Sequence, residues 1–250
     1  TSPATLIDGK LVIGGWVTDG QMTGEPSGAI RAYDAVTGEL SWAWDMGRPD
    51  RTGEPEPGET YTPGTPNSWS VMSADPELGL VYVPMGNATP DYYGGHRTPE
   101  MDEYSSSVVA LDVSTGKPRW HFQTTHHDLW DYDVASQPVL IDLKDGRPAL
   151  LQPTKRGELF LLDRRTGEPI AEVVEKEVPV SNAVGERSSP TQPFSVGMPN
   201  FAGERPTEKT MWGMAMVDQA WCRLNFKRAR FEGSMTPVET ERPSIIWPGV

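Results

Sequence analysis

A threefold repeat constrains this chain more than any other feature. "AYDAVTGELSWAW" from Ala32, "ALDVSTGKPRWHF" from Ala110 and "LLDRRTGEPIAEV" from Leu161 each carry an aspartate, three residues, a glycine and a charged residue. The matched positions are Asp34/Gly38/Glu39, Asp112/Gly116/Lys117 and Asp163/Gly167/Glu168. Trp42 and Trp120 stand at one register in the first two copies, and Ala171 replaces the tryptophan in a degenerate third. Each copy reads as a strand, a tight Thr-Gly turn and a second strand. The glycine supplies the positive φ such a turn needs, and the aspartate caps it through side-chain to backbone bonds. A large aromatic recurring at one register can dock between neighbouring sheets. Small sheets repeated radially around such a residue form a β-propeller. With 25 Gly and 24 Pro among 250 residues, the composition fits many short strands and turns rather than a helix bundle. The expected class is all-β.

The repeat aspartates lie 78 and then 51 residues apart. Propeller blades run about 40–50 residues, so the first interval must hold insertions. Residues 48–68 are a Pro/Gly/Glu-rich loop, and 87–106 follow the strand "LGLVYVPMG". Residues 175–206 show neither strand nor helix periodicity. Beyond them, 207–231 are expected to include a helix with Met211, Met214, Ala215, Val217 and Trp221 on its apolar side. Arg223, Lys227, Arg228 and Arg230 form its solvated face.

A net charge of −13 argues against binding nucleic acid or an anionic membrane surface through bulk electrostatics. The single cysteine, Cys222, excludes an internal disulfide framework and a multi-cysteine zinc site. No apolar run approaches the roughly 18–20 residues that span a bilayer, and "TSPATLIDGK" has no signal-peptide pattern. The missing initiator methionine and the apolar "SIIWPGV" at the end lead us to expect an internal piece of a longer chain.

Long loops on a rigid scaffold are where function concentrates. Four clusters follow or join strands: Asp19 in "GGWVTDG", Trp69 in "NSWS", Asn87, Thr89 and Asp91 in "GNATPD", and the crowded "TTHHDLWDYD" of residues 124–133. A fifth element, "ALLQPTKRGELFLLD", reads as a hairpin with Lys155-Arg156-Gly157 at its tip. Carboxylate, amide and hydroxyl oxygens suit a hard cation such as calcium or magnesium. Two adjacent histidines without HExxH or CxxC do not make a zinc site.

"TTHHDLWDYDVASQPVLIDL", "PTKRGELFLLDRRTGEPI", "VYVPMGNATPDYYGGHRTPE" and "SPTQPFS" together resemble the pyrroloquinoline-quinone (PQQ) dehydrogenases. The resemblance is strongest to the membrane-bound glucose dehydrogenase group with its quinate and polyol relatives. It runs from the first residues to at least "MWGMAMVDQAWCR". It implies that residues 1–250 are a partial propeller domain, about half of an eight-bladed ring, and that this piece is inactive alone. Carried over residue by residue, it makes Asp131 the catalytic base and Lys155 its cationic partner at the quinone. Trp69 becomes the residue stacked on the cofactor. Asp19 is the acidic metal ligand, and either Asn87 or Thr89 supplies a second oxygen beside Asp131. His126 and His127 either line the site or hold Asp131, or serve the fold alone; on the first reading His127 is a candidate cofactor contact.

The implied cofactors are PQQ and one divalent cation, calcium or magnesium. The implied reaction is oxidation of a sugar or polyol hydroxyl, foremost an aldose such as glucose to its lactone, with electrons passed to ubiquinone. The implied place is the periplasmic face of the inner membrane, with any anchor in a segment outside this chain. The chemistry is coherent: a cation and an ammonium polarise a quinone oxygen while a carboxylate takes the alcohol proton. The competing reading is a non-catalytic propeller scaffold, which would need the repeat residues but not Asp19, Trp69, Asp131 and Lys155 together. A hydrolase built on Asp131 and His127 lacks a Gly-x-Ser-x-Gly elbow.

Overall fold

A computed structural model describes residues 3–18 and 22–249. Two four-stranded antiparallel meanders dominate it. The first joins β1 (Thr5–Ile7), β2 (Lys10–Ile13), β3 (Ile30–Asp34) and β4 (Leu40–Trp44) in chain order. The second joins β5 (Ser73–Asp75), β6 (Leu80–Pro84), β7 (Ser107–Asp112) and β8 (Pro118–Gln123) in the same way. A third sheet pairs β9 (Val139–Asp142), β10 (Pro148–Pro153) and β11 (Leu159–Asp163). These are stacked propeller blades, as the repeat predicts.

Alternation along β6 and β7 explains the stacking. In a strand successive side chains point to opposite faces. Val81, Val83, Val109 and Leu111 pack toward the first sheet with Trp44, Met46 and Met72. Their neighbours Leu80, Tyr82, Val108 and Ala110 pack toward the third with Leu150, Phe160 and Leu162. A strand buried on both faces reads as a continuous apolar run, and "LVYV" and "SVVAL" do.

The repeat residues close turns and lock blades. Asp34 Oδ1 accepts from the N–H groups of Val36 and Thr37. Asp112 Oδ1 does the same for Ser114 and Thr115, and Asp163 Oδ1 for Arg165. Trp42 of the first blade donates Nε1–H to Val113 O of the second at 2.7 Å. Trp120 of the second reaches Arg164 O of the third at 3.3 Å. Val113 and Arg164 each follow the repeat aspartate directly. Glycine is required at each dock, because a Cβ on Gly116 would lie 2.6 Å from the Trp42 ring and one on Gly167 2.5 Å from the Trp120 ring. The third copy, with Ala171, forms no regular second strand after its turn: Leu162 and Pro169 make an isolated bridge, and Ile170 and Ala171 donate N–H to Leu161 O.

Two expectations are corrected. Residues 175–206 are not wholly irregular: β12 (Val173–Glu177) pairs antiparallel with β13 (Thr191–Ser195). The hairpin escapes periodicity because β12 is half to fully exposed, so no apolar alternation marks it. Residues 207–231 do contain a helix, α2 (Met216–Arg228), but Met211, Met214 and Ala215 precede it. Its Val217 and Trp221 are exposed, and it buries no residue, so the expected apolar side does not form a buried face. In the 87–106 insertion a short helix, α1 (Pro99–Tyr104), starts on Thr98, whose side chain accepts from the N–H of Met101, with proline in its first turn.

Candidate active site

The loop after β8 is organised by a buried carboxylate. Asp128 accepts from the backbone N–H of Trp130 (2.8 Å) and of Tyr132 (2.8 Å) and from the Ser106 hydroxyl. Burial, then the nearby Asp133, push its carboxyl above the usual range against these donors. Pinning the amides on either side leaves Asp131 in left-handed backbone, φ +61°, which aspartate tolerates better than most residues. Trp130 and Tyr132 turn into a small apolar cluster with Leu129 and Met235.

Asp131 and Asp133 both meet Lys155, which sits in the β10–β11 turn. Lys155 Nζ donates to Asp131 Oδ1 at 3.0 Å, to Asp131 O at 3.0 Å and to Asp133 Oδ2 at 3.2 Å. Desolvation, then the charge of Asp133, push the Asp131 carboxyl up to about 7 against the pull of Lys155. Burial works against the Lys155 ammonium, but Asp133 and Asp131 outweigh it and hold the lysine above its ordinary value. The ammonium also lies 5.9 Å from the ring centroid of Trp69. Trp69 in turn donates Nε1–H to Asp133 Oδ2 at 3.1 Å. Thus Trp69, Asp131 and Lys155, which lie in three separate segments, converge on one place.

The oxygen donors expected to serve a cation differ from one another. Asn87 is fully buried and its amide is engaged: Nδ2 donates to Asp91 O and Asp128 O, and Oδ1 accepts from the Ala88 N–H. The Thr89 hydroxyl is buried and finds no hydrogen-bond partner among the described residues. Neither does either polar atom of the Asn67 side chain, two residues before Trp69. Buried polar atoms are seldom left unpaired without a reason. A Cβ on Gly86 would lie 3.1 Å from Asp133 Oδ1 and 3.4 Å from Asn67 Nδ2, so the orphaned Asn67 amide borders the same carboxylate that holds Trp69 and Lys155. Asp19 lies outside the described residues. Among those described, no three His, Cys, Asp or Glu side chains are grouped to hold a metal. Carboxylate, hydroxyl and amide oxygens are donors that suit calcium or magnesium.

The histidines face elsewhere. His127, at φ +41°, has Nδ1 2.9 Å from Asp102 Oδ1 and Nε2 2.7 Å from Glu186 Oε1. Burial alone would lower its pKa, but these two carboxylates carry it above the usual histidine value. Glu186 is held low, its burial being outweighed by His127 and by the N–H groups of Gly94 and Arg187. With both nitrogens engaged, His127 clips the 87–106 insertion to the 175–206 insertion and is not bonded to Asp131. His126 bonds Gln123 Oε1 and Glu175 Oε1. Sequence reasoning does not single out Asp133, Asn67, Asp102 or Glu186. For Asp133 a signal exists: "DYD" places a second aspartate two residues after Asp131 in the same crowded loop.

The family model described as "PQQ: Glucose/ethanol/alcohol dehydrogenase, beta-propeller domain" matches residues 1–250. The chain is 49% identical over 254 residues to the glycerol dehydrogenase large subunit of Gluconobacter oxydans (strain 621H), covering 100% of this chain and 34% of that protein. It is 45% identical over 256 residues to the quinoprotein glucose dehydrogenase of Escherichia coli (strain K12), covering 100% of this chain and 31% of that protein. The crystal structure of quinohemoprotein alcohol dehydrogenase from Comamonas testosteroni superposes with a TM-score of 0.56 at 33% identity, over 78% of this chain and 31% of that one. The chain thus spans about a third of the length of these relatives. On a family model that matches it from end to end, and on a blade architecture shared with that crystal structure, the chain belongs to the β-propeller family of PQQ-dependent dehydrogenases.

Proposed function

We propose that the protein carrying this chain oxidises a secondary or hemiacetal hydroxyl of a sugar or polyol, using PQQ and a divalent cation. The observation that carries this reading is the convergence of Asp131, Lys155 and Trp69, with Lys155 bonded to Asp131 at 3.0 Å. PQQ, when bound, supplies the hydride acceptor. Asp131 takes the hydroxyl proton of the substrate. Its side chain is 22% exposed, and Lys155 occupies only one of its carboxylate oxygens. Lys155 holds Asp131 in place and offers positive charge to an oxygen of the cofactor. Trp69 gives the flat ring system an aromatic face. Asp131 with Thr89 or Asn87, and with Asp19, holds the cation. His127 acts at one remove, by fixing the two insertions beside the cofactor.

A scaffold would have no use for a buried ammonium between two carboxylates, whose desolvation is costly. The reading extends to ubiquinone as electron acceptor and to the periplasmic face of the inner membrane. No helix among the described residues is long and apolar enough to cross a membrane. Within the substrate class, an aldose such as glucose is what the motifs imply. The higher identity to a glycerol dehydrogenase subunit favours a polyol.

The test is steady-state oxidation by the full-length protein, loaded with PQQ and calcium or magnesium, of glucose, other aldoses, glycerol and quinate. Asp131→Asn keeps the side-chain shape and removes the base, so turnover should fall on the order of 10²–10⁴-fold. Lys155→Ala should lower both turnover and quinone affinity. Near wild-type turnover by Asp131→Asn, with quinone bound, refutes the assignment.

A further inference from the structure

Asp133 is bound differently from its neighbour Asp131. Its side chain is 3% exposed, against 22% for Asp131. Oδ2 accepts from Trp69 Nε1 at 3.1 Å and from Lys155 Nζ at 3.2 Å. Oδ1 accepts from the backbone N–H of Asn87 at 2.6 Å. The carboxylate is also enclosed, because a Cβ on Gly86 would lie only 3.1 Å from Oδ1. A buried carboxylate with three donors around it has no free oxygen to offer a substrate proton, and it costs free energy unless those donors stay.

From this we infer that Asp133 is the positioning residue of the site: it sets the plane of the Trp69 indole and the place of the Lys155 ammonium, and so builds the quinone's seat before the quinone arrives. The inference rests on the PQQ reading above and deepens it. The two aspartates of "DYD" have separate roles. Asp131, open on one side, works on the substrate. Asp133, closed on all sides, ties together segments 67–70, 86–91 and 154–158, which meet at its carboxylate. A tryptophan indole has two side-chain torsions to order, and an N–H tether at its far edge restricts both. Sharing Oδ2 with Lys155 couples the tilt of the ring to the height of the ammonium beside it.

Asp133→Asn is nearly isosteric but cannot keep all three donors. If the amide oxygen takes the Asn87 N–H, the NH₂ group faces Trp69 Nε1 and Lys155 Nζ, donor against donors. If the amide flips, the Asn87 N–H is orphaned instead. The experiment measures PQQ dissociation from the full-length protein by quenching of tryptophan fluorescence, in a double-mutant cycle of Asp133→Asn with Trp69→Phe. Asp133→Asn should weaken quinone binding about tenfold in the wild-type background. A phenyl ring has no N–H for Asp133 to hold, so in the Trp69→Phe background only the share carried through Lys155 remains, and the same change should weaken binding less than about threefold. Asp131→Asn, run alongside, should leave quinone affinity within about threefold while turnover falls.

An equal factor in both backgrounds overturns the hold on the indole, because an effect carried by Lys155 or by general loosening of the fold would act regardless of the indole. An unchanged dissociation constant in folded Asp133→Asn overturns it too. Should Asp133→Asn fail to fold, Trp69→Phe alone decides: it removes the tether and keeps a ring, and unaltered quinone affinity then refutes the role. Wild-type protein that leaves the quinone free in solution sinks the PQQ reading and this inference with it. Quinone binding without coupling between the two positions sinks only the inference.

Discussion

Replacing Gly116 with alanine probes the contact that joins the first blade to the second. Gly116 has φ +72°, and an added Cβ would lie 2.6 Å from Cδ2 and from Cε3 of Trp42. Gly146, in the β9–β10 turn, has φ +81° and nothing within 4 Å of such a Cβ, which makes it the internal control. Both changes force an L residue into left-handed backbone at about 1–2 kcal/mol. A stiffer unfolded chain offsets about 0.4–1 kcal/mol of that. Gly146→Ala should therefore cost roughly 0.5–1 kcal/mol.

At Gly116 the ring cannot step aside, since Trp42 is 2% exposed and its Nε1 is held 2.7 Å from Val113 O. Overpacking adds about 1–3 kcal/mol, for a total of roughly 2–4 kcal/mol. For a chain of this size each kcal/mol moves the melting midpoint by about 2–4 °C, so the two variants should differ by on the order of 4–8 °C. Gly167→Ala should fall between them. Its Cβ meets Trp120 at 2.5 Å, but that ring is only partly buried and its 3.3 Å bond to Arg164 O yields more readily. Thermal melts of the three variants, with urea midpoints as a cross-check, give the ranking. Equal midpoints for Gly116→Ala and Gly146→Ala would refute the claim that the indole locks the blades.

His127 gives the fold a pH dependence, with Asp102, Glu186, Arg97 and Arg187 as the charged groups around it. Its folded pKa exceeds its ordinary value of 6.5, so its contribution to stability is complete below that pH and is lost as pH rises through the folded pKa. Glu186, held below its ordinary 4.5, contributes above that value and ceases to do so as pH falls through its folded pKa. Melting midpoints should therefore decline on the alkaline side of 6.5, and His127→Gln should flatten that decline; an identical slope in both proteins counts against the clip. Arg97 is 3% exposed and donates to Asp128 O at 2.7 Å and to Pro90 O at 2.8 Å. Arg97→Met leaves Pro90 O without this donor and Asp128 O with only Asn87 Nδ2, and should cost about 1–3 kcal/mol, read as a lower urea midpoint, whereas a change under about 0.5 kcal/mol would show that Pro90 O finds another donor.

Much of the molecule was legible because its determinants are local. The Asp–Thr-Gly turns recur with their glycines at φ +75°, +72° and +76°. Continuous apolar runs in β6 and β7 announce two buried faces, and the tryptophan at one register announces a dock. Lys155 stands at the tip of its hairpin, where "PTKRG" puts it. These follow from torsional preference, strand pleat and side-chain size, all of which are carried within a dozen residues.

Tertiary structure decided what depends on distant partners. β12 becomes a strand only because β13 pairs with it across a loop, and its own pattern is too polar to reveal that. α2 mixes apolar residues with Asp218, Gln219, Arg223, Asn225, Lys227 and Arg228, and whether any of them is buried depends on what packs against the helix; it buries none. His127 shares a loop with Asp131 and still faces away, because Glu186, 59 residues onward, and Asp102 take both its nitrogens. Asp131 and Asp133 look alike in "LWDYD". Only the arrival of Trp69, Asn87 and Lys155 from three other segments closes one carboxylate and leaves the other open. Local propensity determines strands and turns. The direction and ionisation of a charged side chain depend on long-range packing, because the energy of a charge depends on what surrounds it in space.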